Sequence, residues 1–113
     1  MSDLELILKS INPNYEKEYR FNSHRRWKFD FAYPDIAVAF EYEGIFRGKS
    51  RHTSVMGYSK DCEKYNHAAV LGWRVIRITA AMLSDTYHKT GKGKIVYDFI
   101  RSNTILFIAK VLE

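Results

Sequence analysis

A single cysteine, Cys62, stands among the 113 residues, which excludes an internal disulfide framework and a Cys-rich zinc site. Prolines number two, and both read as punctuation: Pro13 inside Asn12-Pro13-Asn14 and Pro34 inside Tyr33-Pro34-Asp35. The six glycines build no phosphate loop. The nearest approach, Lys89-Thr90-Gly91-Lys92-Gly93-Lys94, lacks the Gly-x-x-x-x-Gly-Lys-Ser/Thr form and reads as a mobile basic loop. No apolar run is long enough to span a bilayer, and the opening Met-Ser-Asp-Leu-Glu has no basic signal-peptide character. A cytoplasmic, reducing location without membrane association is the expectation. Repeats, linkers and low-complexity segments are also missing, so one domain is expected over residues 1–113.

What the chain has is positive charge. Lysine and arginine number 18 against 13 acidic residues, a formal charge of +5. That balance favours an acidic partner, nucleic acid ahead of an anionic membrane.

Ser2-Asp3-Leu4-Glu5 has the form of a capping box and predicts a helix from Asp3 to Lys9. A strand is expected over Glu18–Phe21, with a turn at Asn22-Ser23. His24, Arg25, Arg26 and Lys28 then form a basic cluster. Gly44 to Thr53 reads as a loop carrying Arg47, Lys49, Arg51 and His52, four potential cations suited to a phosphate cradle. A helix over Val55–Leu71, capped by Thr53 or Ser54, follows. Val55, Tyr58, Cys62, Tyr65 and Ala69 recur at spacings of three and four and predict its core stripe. Lys60, Lys64 and His67 form a second, basic stripe, and Cys62 reads as a small packing residue. Gly72 ends this helix. A strand over Trp73–Ile78, a helical turn over Thr79–Ser84 and a helix over Ile95–Leu112, broken near Ser102-Asn103, complete the chain. Strand, strand, helix, strand predicts an α/β fold with a mixed sheet and helices against it.

The centre of the sequence is the strand pair Trp27–Ala32 and Ile36–Glu43. Side chains alternate faces along a strand. Trp27, Phe29 and Phe31 should then share one face, and Lys28, Asp30 and Ala32 the other. In the second strand Ile36, Val38, Phe40 and Tyr42 oppose Ala37, Ala39, Glu41 and Glu43. Three carboxylates are thereby placed on the face lined by small alanines. Two glutamates at i and i+2 stand only ~7 Å apart at ~3.3 Å per residue, and uncompensated acids that close repel. The two remedies are water and a hard divalent cation such as Mg2+ or Mn2+.

Arg26-Trp27-Lys28-Phe29-Asp30-Phe31 followed by Ala39-Phe40-Glu41-Tyr42-Glu43-Gly44 resembles the core of the PD-(D/E)XK nuclease superfamily. The nearer likeness is to small phage and bacterial endonuclease-domain proteins related to very-short-patch repair endonucleases. Gly48-Lys49-Ser50-Arg51-His52-Thr53, Asp61-Cys62-Glu63-Lys64-Tyr65-Asn66 and Leu71-Gly72-Trp73-Arg74-Val75-Ile76-Arg77 extend it. The resemblance covers residues 16 to 80, leaving 81–113 as a C-terminal helical region.

The resemblance implies a restriction-endonuclease-like fold and a metal-dependent endonuclease. Asp30 matches the first metal-binding acid and Glu41 the second, with a backbone carbonyl near Tyr42 as a further ligand. Glu43 stands where a lysine is expected, as in those restriction enzymes that carry Glu-x-Glu. Either Glu43 serves as base or third metal ligand, or Lys64 reaches in from the helix to orient the water. Glu18, or less directly Glu5, matches the extra acid that the superfamily adds from an earlier element. Arg25, Arg26, Arg47, Lys49, Arg51, His52 and Lys60 are the expected DNA contacts. So short a chain has little material for reading a long sequence, which favours structured DNA such as branches, flaps or Holliday junctions. Roles in DNA repair or recombination follow from the same likeness. Junction resolvases act as dimers, and the apolar Ile105, Leu106, Phe107, Ile108, Val111 and Leu112 offer either core packing or a homodimer face.

Overall fold

Residues 2–44, 54–84 and 94–103 are described by the computed structural model. In chain order they form α1 (Asp3–Ile11), β1 (Glu16–Arg20), β2 (Lys28–Tyr33), a 3-10 turn (Pro34–Ile36) and β3 (Val38–Glu43). Next come α2 (Val55–Val70), β4 (Arg74–Thr79), α3 (Ala80–Leu83) and α4 (Lys94–Ser102). The sheet runs β1-β2-β3-β4. Its first three strands are antiparallel neighbours, and β4 lies parallel to β3. A parallel pair needs a crossover, which α2 supplies. The result is the expected α/β class, a mixed sheet flanked by helices and not closed into a barrel. Among the described residues no helix is long and apolar enough to cross a membrane.

The helix boundaries follow local chemistry. Ser2 Oγ accepts the Glu5 N–H at 3.1 Å and starts α1. Glu5 does not close the box, because its carboxylate takes the Tyr15 hydroxyl at 2.7 Å and Lys17 Nζ at 3.2 Å. The helix continues to Ile11, two residues past the expected Lys9, and so delivers Ile11 to the core beside Leu4 and Leu8. Ser54, not Thr53, caps α2, with Oγ accepting the Gly57 N–H at 2.9 Å. At its far end Gly72 takes φ +87°, its N–H donating to the Ala69 carbonyl and that of Trp73 to the Ala68 carbonyl. This paired closure needs a left-handed residue, which glycine adopts without cost. The expected break at Ser102 is where α4 stops. Expectations for the 85–93 and 104–113 stretches, the apolar dimer face included, lie outside the described residues.

Two apolar clusters lie on opposite faces of the sheet. The larger unites Leu4, Leu8, Phe31, Tyr33, Val38, Phe40 and Ile78 with Leu83, Val96 and Ile100 from α3 and α4. The smaller holds Phe29, Ala32, Ala39 and Ala68, with Tyr19, Phe21, Trp73 and Val75 at its margin. Their membership corrects the expected alternation. Phe29 and Phe31, two apart on one strand, belong to different faces, and Tyr15, just before β1, packs on the larger cluster while Tyr19 within β1 packs on the smaller. The reversal has a local cause. Pairing of β1 with β2 skips Glu18 and Asp30, between the Lys17–Phe31 and Tyr19–Phe29 pairs, and Glu18 has φ 52°. A residue in the left-handed region interrupts the pleat, so both strands turn over at that point.

A second correction concerns α2. Of the stripe expected to be its core side, Val55, Tyr58 and Ala69 are exposed. The buried residue is Ala68, and the side chains that reach the sheet are Lys64 and Tyr65. The reason is the surface beneath them. Where the helix crosses β3 that face carries Glu41 and Glu43, and a cation and a hydroxyl suit carboxylates better than methyl groups do.

Candidate active site

Strand β3 sets Glu41 and Glu43 on the α2 face two residues apart, on the side of Ala39. Both are buried. The pairing of β2 with β3 ends at Phe31–Phe40, and beyond it carboxylates take the place of backbone partners. The Asp30 N–H donates to Glu41 Oε2 at 3.2 Å, and the Tyr42 N–H donates to Asp30 Oδ2 at 2.7 Å. Asp30 and Glu41 are thus held together where the strands part, each fixed by the other strand's backbone.

From α2, Lys64 forms an ion pair with Glu41 Oε1. Both side chains are largely withdrawn from water, at 17% and 6% exposure. Burial pushes the Glu41 carboxyl up to about 7, with the Asp30 charge adding to the rise and Lys64 opposing it. The Tyr65 hydroxyl lies 3.4 Å from Glu41 Oε1 and 3.3 Å from Glu43 Oε1, so one proton bridges two acids. Burial pushes the pKa of this hydroxyl well above its ordinary value, and the Glu41 and Glu43 charges add to the effect. Tyr65 therefore stays a donor at neutral pH. Glu43 Oε1 also accepts from Arg77 Nε at 2.7 Å. Tyr65 and Arg77 carry site contacts that sequence reasoning missed. A signal for Arg77 was present, since a parallel β4 beside β3 aligns one basic position of Arg74-Val75-Ile76-Arg77 with the acidic one.

The remaining expected residues divide. Glu18 is exposed at the point where the β1–β2 pairing is interrupted, and its side chain makes no hydrogen bond to a described residue. Glu5 is occupied by Tyr15 and Lys17. Arg25 pairs with Glu63 and lies 4.8 Å over the Trp27 ring. Arg26 and Lys60 are exposed. Arg47, Lys49, Arg51 and His52 lie outside the described residues. The Trp27 indole sits 5.0 Å from the His67 ring, one helical turn beyond Lys64.

Chemically, Asp30 and Glu41 form an oxygen-donor pair with a cation beside it. Among the described residues no group of three or more His, Cys, Asp or Glu side chains is disposed to hold a metal. Magnesium does not need such a cage, because it keeps several waters and takes one or two carboxylates plus substrate phosphates. The donor set present fits it in that form. Comparison with protein-family models, with curated proteins and with solved structures returned no match.

Proposed function

We propose that this chain is a metal-dependent DNA endonuclease that hydrolyses phosphodiester bonds, with branched or junction DNA as the preferred substrate. One observation carries the reading: Asp30 and Glu41 are locked together at the parting of β2 and β3, with Lys64 on Glu41. Asp30 and Glu41 would hold Mg2+ or Mn2+. The ion supplies, when bound, an activated water and charge stabilisation at the phosphoryl oxygen.

The chain's own groups do the rest. The Tyr42 N–H fixes the Asp30 carboxylate, and the Asp30 N–H fixes that of Glu41, so neither must reorganise as substrate arrives. Lys64 sits within reach of any oxygen placed against Glu41 and is the residue assigned to orient the attacking water or steady the phosphate. Tyr65 bridges Glu41 to Glu43 and keeps both in place. Arg26, Lys60 and the Arg47, Lys49, Arg51 and His52 set would steer the phosphate backbone. Because two symmetric cuts need two sites, junction resolution would engage a homodimer.

A second reading, a non-catalytic nucleic-acid-binding domain, is favoured by one observation: Glu41 and Glu43 already have internal cations in Lys64 and Arg77. Cleavage trials with purified protein and Mg2+ or Mn2+ on duplex, single-stranded, flap and four-way-junction DNA decide between them. The nuclease reading expects metal-dependent cutting. Binding with no cutting on all four, together with no Mg2+ uptake by calorimetry, selects the second.

A further inference from the structure

We propose that Arg77 is a ligand for a substrate phosphate and that Glu43 is its positioning residue, an assignment that rests on the nucleic-acid reading above. The parallel register sets Arg77 opposite Glu41, and strand alternation puts it with Val75 on the α2 face. Its guanidinium is clamped on two sides. Nε donates to Glu43 Oε1 at 2.7 Å, and the guanidinium carbon lies 4.4 Å over the Tyr65 ring. Asp61 on α2 adds a further negative charge nearby.

The two partners differ in exposure. The Glu43 side chain is 11% exposed and that of Arg77 is 48%. A nearly buried acid therefore holds a half-exposed guanidinium at the rim of the Asp30–Glu41 pair. The Nη edge makes no hydrogen bond to a described residue. A planar guanidinium with one edge anchored and the other open is preorganised for two phosphate oxygens, a geometry that lysine cannot copy. Glu43, with Oε1 shared by Arg77 and Tyr65, serves by aiming this fork.

Labelled duplex and four-way-junction DNA, titrated with protein in EDTA at several salt concentrations, test the assignment without relying on turnover. Arg77→Gln should lower the log–log salt slope by about 0.9, the loss of one duplex phosphate contact. Arg77→Lys should restore most of that slope but not the affinity, and it also serves if Arg77→Gln unfolds. Where cleavage is measurable, Glu43→Gln should raise KM severalfold with the Mg2+ dependence of kcat unchanged. A folded Arg77→Gln protein with wild-type slope and affinity overturns the Arg77 assignment. A shifted Mg2+ dependence in Glu43→Gln overturns the positioning role. Binding by wild type without any cutting sinks the nuclease reading alone, because the salt slope still judges Arg77. No binding of either DNA sinks both.

Discussion

Asp30 and Glu41 meet across the β2–β3 junction through a side chain, the Asp30 N–H donating to Glu41 Oε2 at 3.2 Å where a ladder bond would otherwise stand. Such an arrangement gives up regular pairing to bring two acids together. Like charges held close cost stability, and the Lys64 cation on Glu41 offsets part of that cost.

Asp30→Asn keeps an oxygen for the Tyr42 N–H, and Glu41→Gln keeps one for the Asp30 N–H. Both variants should fold and bind DNA largely as wild type does, while cleavage is lost. Rates within tenfold of wild type for either, measured in saturating Mg2+, would remove the pair from the chemistry.

Lys64 and Glu41 form a buried pair, so removing one partner strands the other. Lys64→Met should destabilise the fold by about 3 kcal/mol in urea melts, the usual scale for breaking such a pair. The double variant with Glu41→Gln should recover most of that loss. Lys64→Met should also slow cleavage strongly at saturating Mg2+. If the single and double variants melt alike, the ion pair is not what holds α2 down.

Stability should depend on pH through Glu41. The unfolded carboxyl titrates near its ordinary 4.5 and the folded one near 7, because burial disfavours the charge. Between those values the folded state keeps a proton that the unfolded chain has lost. Stability from this group is therefore full below about 4.5, falls as pH rises toward 7 and levels off above it. At about 1.36 kcal/mol per pH unit, the whole drop is about 3 kcal/mol. Metal-free urea midpoints of wild type and Glu41→Gln across this window isolate the effect. Parallel profiles would refute it.

The stretch carrying Arg47, Lys49 and Arg51 should set DNA affinity. Replacing all three with alanine should lower the salt slope on duplex DNA by up to about 2.7, at ~0.9 per contact. An unchanged slope would show that the stretch points away from the substrate.

Gly72→Ala isolates a backbone effect. A Cβ at this position would meet no atom within 4 Å, so only the φ of +87° opposes it. The expected loss is about 1 kcal/mol, with an unchanged urea m-value. No loss would mean that the helix end relaxes to another closure.

Much of the fold could be read directly. The Ser2 cap, the turn at Pro34, the strands around Phe31 and Phe40 and the Gly72 stop are set by neighbours in the chain, and local patterns report local causes. The carboxylates were visible for the same reason, being acids among aromatic and small residues. What escaped depends on distant partners. The face of α2 was misread because apolar spacing was taken as the guide, whereas its packing surface is chosen by Glu41 and Glu43 on another element. The turnover at Glu18 and Asp30 is a property of two strands at once, with no mark in either alone. Arg77 and Glu43 stand 34 residues apart, and only the parallel register makes them neighbours.

Helix α2 is joined to the sheet by charges and rings more than by apolar burial, with Val55 at 86% and Tyr58 at 63% exposure on its outer side. Its opening free energy should therefore be well below that of global unfolding, making the helix a cooperative unit of its own. Amide protons of α2 would exchange with deuterium long before those of β2 and β3. Added salt, which screens the exposed Arg25–Glu63 pair more than the buried Lys64–Glu41 pair, would widen the gap. A crossover helix of that kind can lift from the acids beneath it while the sheet stays whole.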